Sequence, residues 1–145
     1  MVIDIWGCGE LNEVKSVKKK ILLIEDDVAT IDVYRTALEQ AGFDVDPVIT
    51  GQEAIRLFEQ IDKEPKNKPD LVLLDILLPD VNGIDVLKKI RELENTKDLK
   101  VFILTNYSNK KLEEKGIFLK TEKYLLKTEY KPSELVKLIK KEIKG

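Results

Sequence analysis

The sequence predicts an α/β fold, a doubly wound five-stranded parallel sheet with helices on both faces. Three observations carry that expectation. Five short apolar runs recur along the chain, amphipathic helix-like segments separate them, and four of the runs end directly in residues with polar chemistry. Such alternation implies right-handed crossovers, a parallel sheet and ligand chemistry at the carboxyl ends of the strands.

The first run, Ile21 to Ile24, is short enough for a strand buried on both faces and leads straight into Glu25-Asp26-Asp27. Tyr34, Ala37, Leu38 and Ala41 then follow helical spacing, and Gly42 ends that first helix as a C-terminal glycine commonly does. The second strand is expected over Val45 to Ile49. Ala54, Leu57, Phe58 and Ile61 give the i, i+3, i+4, i+7 stripe of helix two, and the polar, proline-bounded stretch Glu64 to Pro69 returns the chain.

The third run, Leu71 to Leu74, ends at Asp75. Leu87, Ile90 and Glu94, widened by Val86 and Leu93, mark helix three. The fourth strand, Val101 to Leu104, ends at Thr105. Between Leu112 and Lys123 the apolar triplet Ile117-Phe118-Leu119 and Gly116 break the helical spacing, so helix four is expected to be short or mobile. The fifth strand, Tyr124 to Leu126, ends at Lys127. Pro132-Ser133-Glu134 opens a last helix that carries Leu135, Leu138, Ile139 and Glu142.

Length and composition bound the function. A chain of 145 residues has the size of one ordinary domain. Residues 1–19 lie outside the alternating pattern and read as an N-terminal extension, with 20–145 as the domain. With 25 basic and 27 acidic residues, the net charge of -2 gives no reason to expect a nucleic-acid or membrane-surface binder. Histidine is absent, which removes imidazole ligands and bases, and the single Cys8 rules out an intramolecular disulfide. No apolar stretch approaches membrane-spanning length, and Met1 to Trp6 lacks a basic leader region, so a cytoplasmic protein is expected. Trp6 and Cys8 read as parts of a docked or frayed segment with no assigned role.

In a parallel sheet the strand ends share one edge. Glu25, Asp26, Asp75, Thr105 and Lys127 would therefore meet in an acidic cleft with one hydroxyl and one ammonium at its rim. Taken singly, each is an ordinary cap, turn or solvated residue, and Asp27 reads as a helix cap. Taken together, carboxylates this close need a compensating cation. Magnesium suits a few carboxylates plus a carbonyl, such as that of Leu77, and leaves room for phosphate oxygens. Asp75 is placed to act as a nucleophile toward phosphorus, with Lys127 and Thr105 receiving the phosphoryl oxygens.

The segments Ile-Leu-Leu-Ile-Glu-Asp-Asp, Leu-Val-Leu-Leu-Asp-Ile-Leu-Leu-Pro-Asp-Val-Asn-Gly, Ile-Leu-Thr and Tyr-Leu-Leu-Lys, in that order, resemble the receiver domains of two-component response regulators. The resemblance covers roughly residues 20 to 145 and implies a flavodoxin-like strand order of 2-1-3-4-5. It implies that Asp75 is the phosphoacceptor and that Glu25 and Asp26 bind the metal. It also makes Thr105, Tyr124 and Lys127 switch and phosphate-contact residues. A partner histidine kinase or phosphotransfer protein would supply the phosphoryl group. The surface of helix 4, strand 5 and helix 5 would then change. No DNA-binding segment follows, so the expected output is contact with a downstream protein, a phosphorelay or a homodimer. The domain would be a signalling phosphoacceptor that assists its own phosphorylation and dephosphorylation, not an enzyme with turnover.

Four positions depart from the family pattern: Thr128 follows Lys127 where a proline is common, Asn106 replaces a small residue, and Lys120-Thr121 replaces Gly-Ala. Leu77 and Tyr107, two positions beyond Asp75 and Thr105, are large and poor at orienting hydrolytic water. A long-lived phosphoryl group is therefore expected. Two rival readings remain open on the sequence. One is a receiver-like interaction module that does not switch. The other is a Mg²⁺-dependent phosphohydrolase, against which Leu77 stands where such enzymes commonly carry an acid-base aspartate.

Overall fold

The apolar runs form five strands, β1 (Lys20–Ile24), β2 (Asp44–Val48), β3 (Leu71–Leu74), β4 (Val101–Thr105) and β5 (Lys123–Leu126). All pair in parallel in the order β2-β1-β3-β4-β5, the expected 2-1-3-4-5. This computed structural model describes residues 17–143, so most of the N-terminal extension, Trp6 and Cys8 included, lies outside the described residues. Among the described residues no helix is long and apolar enough to cross a membrane.

The helices are α1 (Val28–Gln40), α2 (Gly51–Lys63), α3 (Gly83–Glu92), α4 (Lys110–Phe118) and α5 (Pro132–Glu142). Side chains that alternate along the strands divide the core into two layers. Leu22, Ile24, Val72, Leu74, Val101 and Ile103 face α2 and α3, while Ile21, Leu23, Leu71, Leu73, Phe102 and Leu104 face α1 and α5. Near-continuous apolar strands are therefore required, as the sequence shows.

Local chemistry explains the boundaries. Gly42 takes φ 98, and the N–H of Phe43 donates to the Leu38 carbonyl at 3.1 Å, closing α1. Pro47 is tolerated because β2 lies at the sheet edge. Ile49, expected in that strand, instead lies beyond its end and is 50% exposed, because Thr50 turns the chain to cap α2. Glu94, expected on helix three, also falls outside it, since α3 stops at Glu92.

Helix four begins earlier than the apolar pattern indicated. Asn109 caps it by accepting from the Leu112 N–H at 3.2 Å, and it stops at Phe118. Ile117 and Phe118 are 63% and 81% exposed, so the triplet never formed a core stripe. Lys120 then adopts φ 62, the left-handed conformation that glycine favours. The Arg91 guanidinium clamps this turn, donating to the carbonyls of Leu119 (2.7 Å), Lys120 (2.7 Å), Leu99 (2.7 Å) and Lys97 (2.9 Å).

Candidate functional site

Parallel register brings the functional residues to one edge. Ile24 is level with Val48 and Leu74, Leu74 with Ile103, and Thr105 with Leu126. The residues that follow these strands, Glu25, Asp75 and Lys127, therefore emerge side by side. Backbone bonds continue the ladder just past the strands: Glu25 N–H donates to the Val48 carbonyl at 2.9 Å and Asp75 N–H to that of Ile24 at 3.0 Å.

Glu25, Asp26 and Asp75 each offer a carboxylate oxygen within 4.8 Å of the others. Glu25 and Asp75 are buried, and Asp26 is exposed. The Lys127 ammonium donates to Glu25 Oε1 and, at 3.0 Å, to Asp75 Oδ2. Burial pulls the Lys127 ammonium toward losing its proton, but the bonds to Glu25 and Asp75 outweigh this and hold it above the usual lysine range. Burial pushes the Glu25 carboxyl up. The Lys127 bond pulls it back and the neighbouring Asp75 charge adds to the rise, leaving Glu25 above the ordinary carboxylate range. Each partner therefore holds its proton more tightly than usual.

The donor set fits a hard divalent cation. Three carboxylates facing one ammonium leave a formal excess of two negative charges when all are ionised. Every ligand atom is oxygen, which suits Mg²⁺ rather than a thiolate- or imidazole-seeking metal. Leu77, whose carbonyl is the fourth expected ligand, is adjacent: its N–H donates to Asp75 Oδ1 at 3.1 Å. Lys127 also fronts a hollow of about 300 Å³, bounded by Val33, Tyr34 and Asn106 among others.

Thr105 is fully buried at the end of β4, and its Oγ accepts from the Tyr107 N–H at 3.2 Å. Tyr124, half-buried on β5, donates its hydroxyl to the Tyr107 carbonyl at 2.9 Å. The two expected switch residues thus hold the amide and the carbonyl of one residue, Tyr107. Asp27 is the cap it was read to be, accepting from the Thr30 N–H at 2.9 Å. Lys127 opens a short 3₁₀ turn, Lys127–Glu129, and there is no cis peptide bond among the described residues.

Asp80 was missed. Its Oδ1 accepts from the Gly51 N–H at 2.8 Å and its Oδ2 from the Gln52 N–H at 2.9 Å, at the start of α2. A bond spanning nearly thirty residues leaves no periodicity in a sequence, and the only sequence signal was an acid inside the loop after Asp75.

Comparison with known proteins gives a consistent result. The family model for the response regulator receiver domain matches residues 21–140. The phosphate regulon transcriptional regulatory protein PhoB of Rhizobium meliloti is 34% identical over 109 residues, 74% of this chain and 45% of that protein. The chain spans about half the length of the curated relatives it matches, or less. A CheY-like response regulator receiver domain protein from Methanospirillum hungatei superposes with a TM-score of 0.77 at 26% identity, covering 88% of this chain and 95% of that one. The phosphorylated cyanobacterial phytochrome response regulator RcpA gives 0.74 at 28% identity, covering 89% and 96%.

Proposed function

This chain belongs to the response regulator receiver domain family, and from that premise we propose that Asp75 is the residue that takes the phosphoryl group, in a Mg²⁺-dependent reaction. The observation that carries the assignment is the convergence of three carboxylates within 4.8 Å, two of them bound to one ammonium. Glu25, Asp26, Asp75 and the Leu77 carbonyl would hold the metal. When bound, Mg²⁺ neutralises charge on the transferring group and helps hold it in line.

The chain's own residues account for the rest. A carboxylate oxygen of Asp75 attacks phosphorus as the P–N bond of a partner's phosphohistidine breaks. The electron pair leaves with the ring nitrogen: a ring protonated on its other nitrogen departs as neutral imidazole, and an unprotonated ring takes a proton from solvent to do so. Lys127, already on Asp75 Oδ2, pairs with one phosphoryl oxygen. Thr105 turns its hydroxyl from the Tyr107 N–H toward another. That turn frees the Tyr107 amide, loosens the Tyr124 bond to the same residue and biases the face formed by α4, β5 and α5.

The partners on this reading are a cytoplasmic histidine kinase or phosphotransfer protein and a downstream protein. The test is intact-mass measurement after incubation with acetyl phosphate, with and without Mg²⁺. One phosphoryl group on wild type with Mg²⁺, and none on Asp75→Ala, is the expected result. Equal labelling of the two proteins overturns the assignment.

A further inference from the structure

Besides the acids themselves, the cleft needs the Leu77 backbone held in register with Asp75, and the loop 77–82 that does this is tethered in an unexpected way. One end is tied locally: Leu77 N–H donates to Asp75 Oδ1 at 3.1 Å, Gly83 N–H donates to the Ile76 carbonyl at 2.8 Å, and Leu77 bridges to Asn82. The crest of the loop is tied elsewhere. Asp80 places one carboxylate oxygen on each of the first two amides of α2, at 2.8 and 2.9 Å. Thr50 Oγ takes the third amide, that of Glu53, at 3.1 Å. A remote carboxylate thus completes the cap of α2, and the favourable field of the helix start strengthens both bonds.

Gly51 shows how close this contact is. A Cβ there would collide with the Val81 side chain and lie 3.3 Å from Asp80 Oδ1, although the Gly51 backbone is not in the left-handed region. The glycine is needed for the close approach of the loop, not for its own conformation. Two independent features, a bidentate carboxylate and a missing side chain, therefore fix one loop against one helix.

Resting on the assignment of Asp75 and its metal site above, we infer that Asp80 is a positioning residue for that site: by anchoring loop 77–82 to the start of α2, it sets the Leu77 carbonyl at the distance the cation requires. Asp80 touches neither phosphoryl group nor metal. Its effect on the cation passes through the loop backbone.

The experiment measures Mg²⁺ affinity by calorimetry in the full chain, alongside thermal unfolding and the mass of the acetyl phosphate adduct. Asp80→Ala is expected to weaken Mg²⁺ about tenfold, in the range seen when outer partners of metal ligands are removed. Asp80→Asn retains one acceptor oxygen and is expected to fall between wild type and Asp80→Ala. Gly51→Ala leaves every charge in place, pushes the same loop from the helix side and is expected to weaken Mg²⁺ as well. Wild-type affinity in folded Asp80→Ala overturns the inference. So does an equal loss in Asp80→Asn and Asp80→Ala with no loss in Gly51→Ala, because that pattern reports charge alone. If Asp80→Ala unfolds, protection of the Gly83 amide, which donates to the Ile76 carbonyl, against exchange in Gly51→Ala replaces it, with unchanged protection counting against the inference. Wild type that binds no Mg²⁺ and gains no phosphoryl mass instead sinks the reading beneath it.

Discussion

Replacing Lys127 should separate its structural from its chemical role. Its side chain is 11% exposed, and the Glu25 and Asp75 carboxyls it serves are 3% and 8% exposed. Lys127→Ala leaves two buried carboxylates facing each other, with Asp26 close by and no cation. Removing one partner of a buried ion pair costs about 3 to 5 kcal/mol. The lower end applies here, because Glu25 holds its proton more readily than usual and can escape part of the penalty by staying neutral. The expected loss is about 3 kcal/mol in urea unfolding at neutral pH without metal. Lys127→Met, which keeps most of the apolar stem, separates that electrostatic loss from lost packing.

Magnesium should narrow the difference. With the ammonium gone, Lys127 no longer competes with the metal for Glu25 and Asp75, so at a pH where Glu25 is ionised Mg²⁺ binding should tighten by about tenfold, worth about 1.4 kcal/mol. At saturating Mg²⁺ the stability gap between the variant and wild type narrows by about that amount, while phosphorylation by acetyl phosphate becomes slower. A gap that is the same with and without Mg²⁺ would mean that Lys127 and the cation do not share the same carboxylates.

Three further outcomes follow from the same geometry. Because the Glu25 pKa is raised in the fold, its protonated form stabilises the metal-free protein, a contribution fully present below the unfolded carboxyl pKa and lost as pH rises through the raised folded value. Mg²⁺ must displace that proton, so its affinity should weaken as pH falls through the same window, by calorimetry; a flat profile counts against Glu25 as a ligand. Lys120→Gly relieves the φ 62 conformation while keeping the carbonyl that Arg91 binds, and should stabilise the fold by about 1 kcal/mol in urea unfolding; a loss would contradict that account. Leu77 and Tyr107 are 52% and 37% exposed at the rim of the cleft and offer water no carboxylate or amide, so Leu77→Asn with Tyr107→Glu should shorten the phosphoryl lifetime severalfold in a dephosphorylation time course; equal decay would remove these side chains from the hydrolytic path.

Much of the fold was legible because strands buried on both faces leave uninterrupted apolar runs. Leu71–Leu74 was located to the residue, and the other strands differ from expectation by a residue at one end or both. The site was legible for the same reason: parallel register turns the residue after each run into a neighbour of the others, so Glu25, Asp75 and Lys127 needed only the strand assignments. Helix four is short, as expected, but its bounds leave no apolar pattern because its apolar residues do not all face the core. Its start depends on Asn109, and its end on Lys120 held by an arginine about thirty residues away. Asp80 was missed for a related reason, since its partners belong to another helix and a capping interaction between remote segments has no period.

The measurement that bears most directly on the central claim is a crystal structure of the chain with Mg²⁺ and beryllofluoride, which mimics a phosphoryl group on a carboxylate. Beryllium is expected on an Asp75 carboxylate oxygen, a fluoride on Lys127, another on the Thr105 hydroxyl, and one Mg²⁺ among Glu25, Asp26, Asp75 and the Leu77 carbonyl. Beryllofluoride on a different side chain, or a metal that leaves Glu25 and Asp26 untouched, would contradict it.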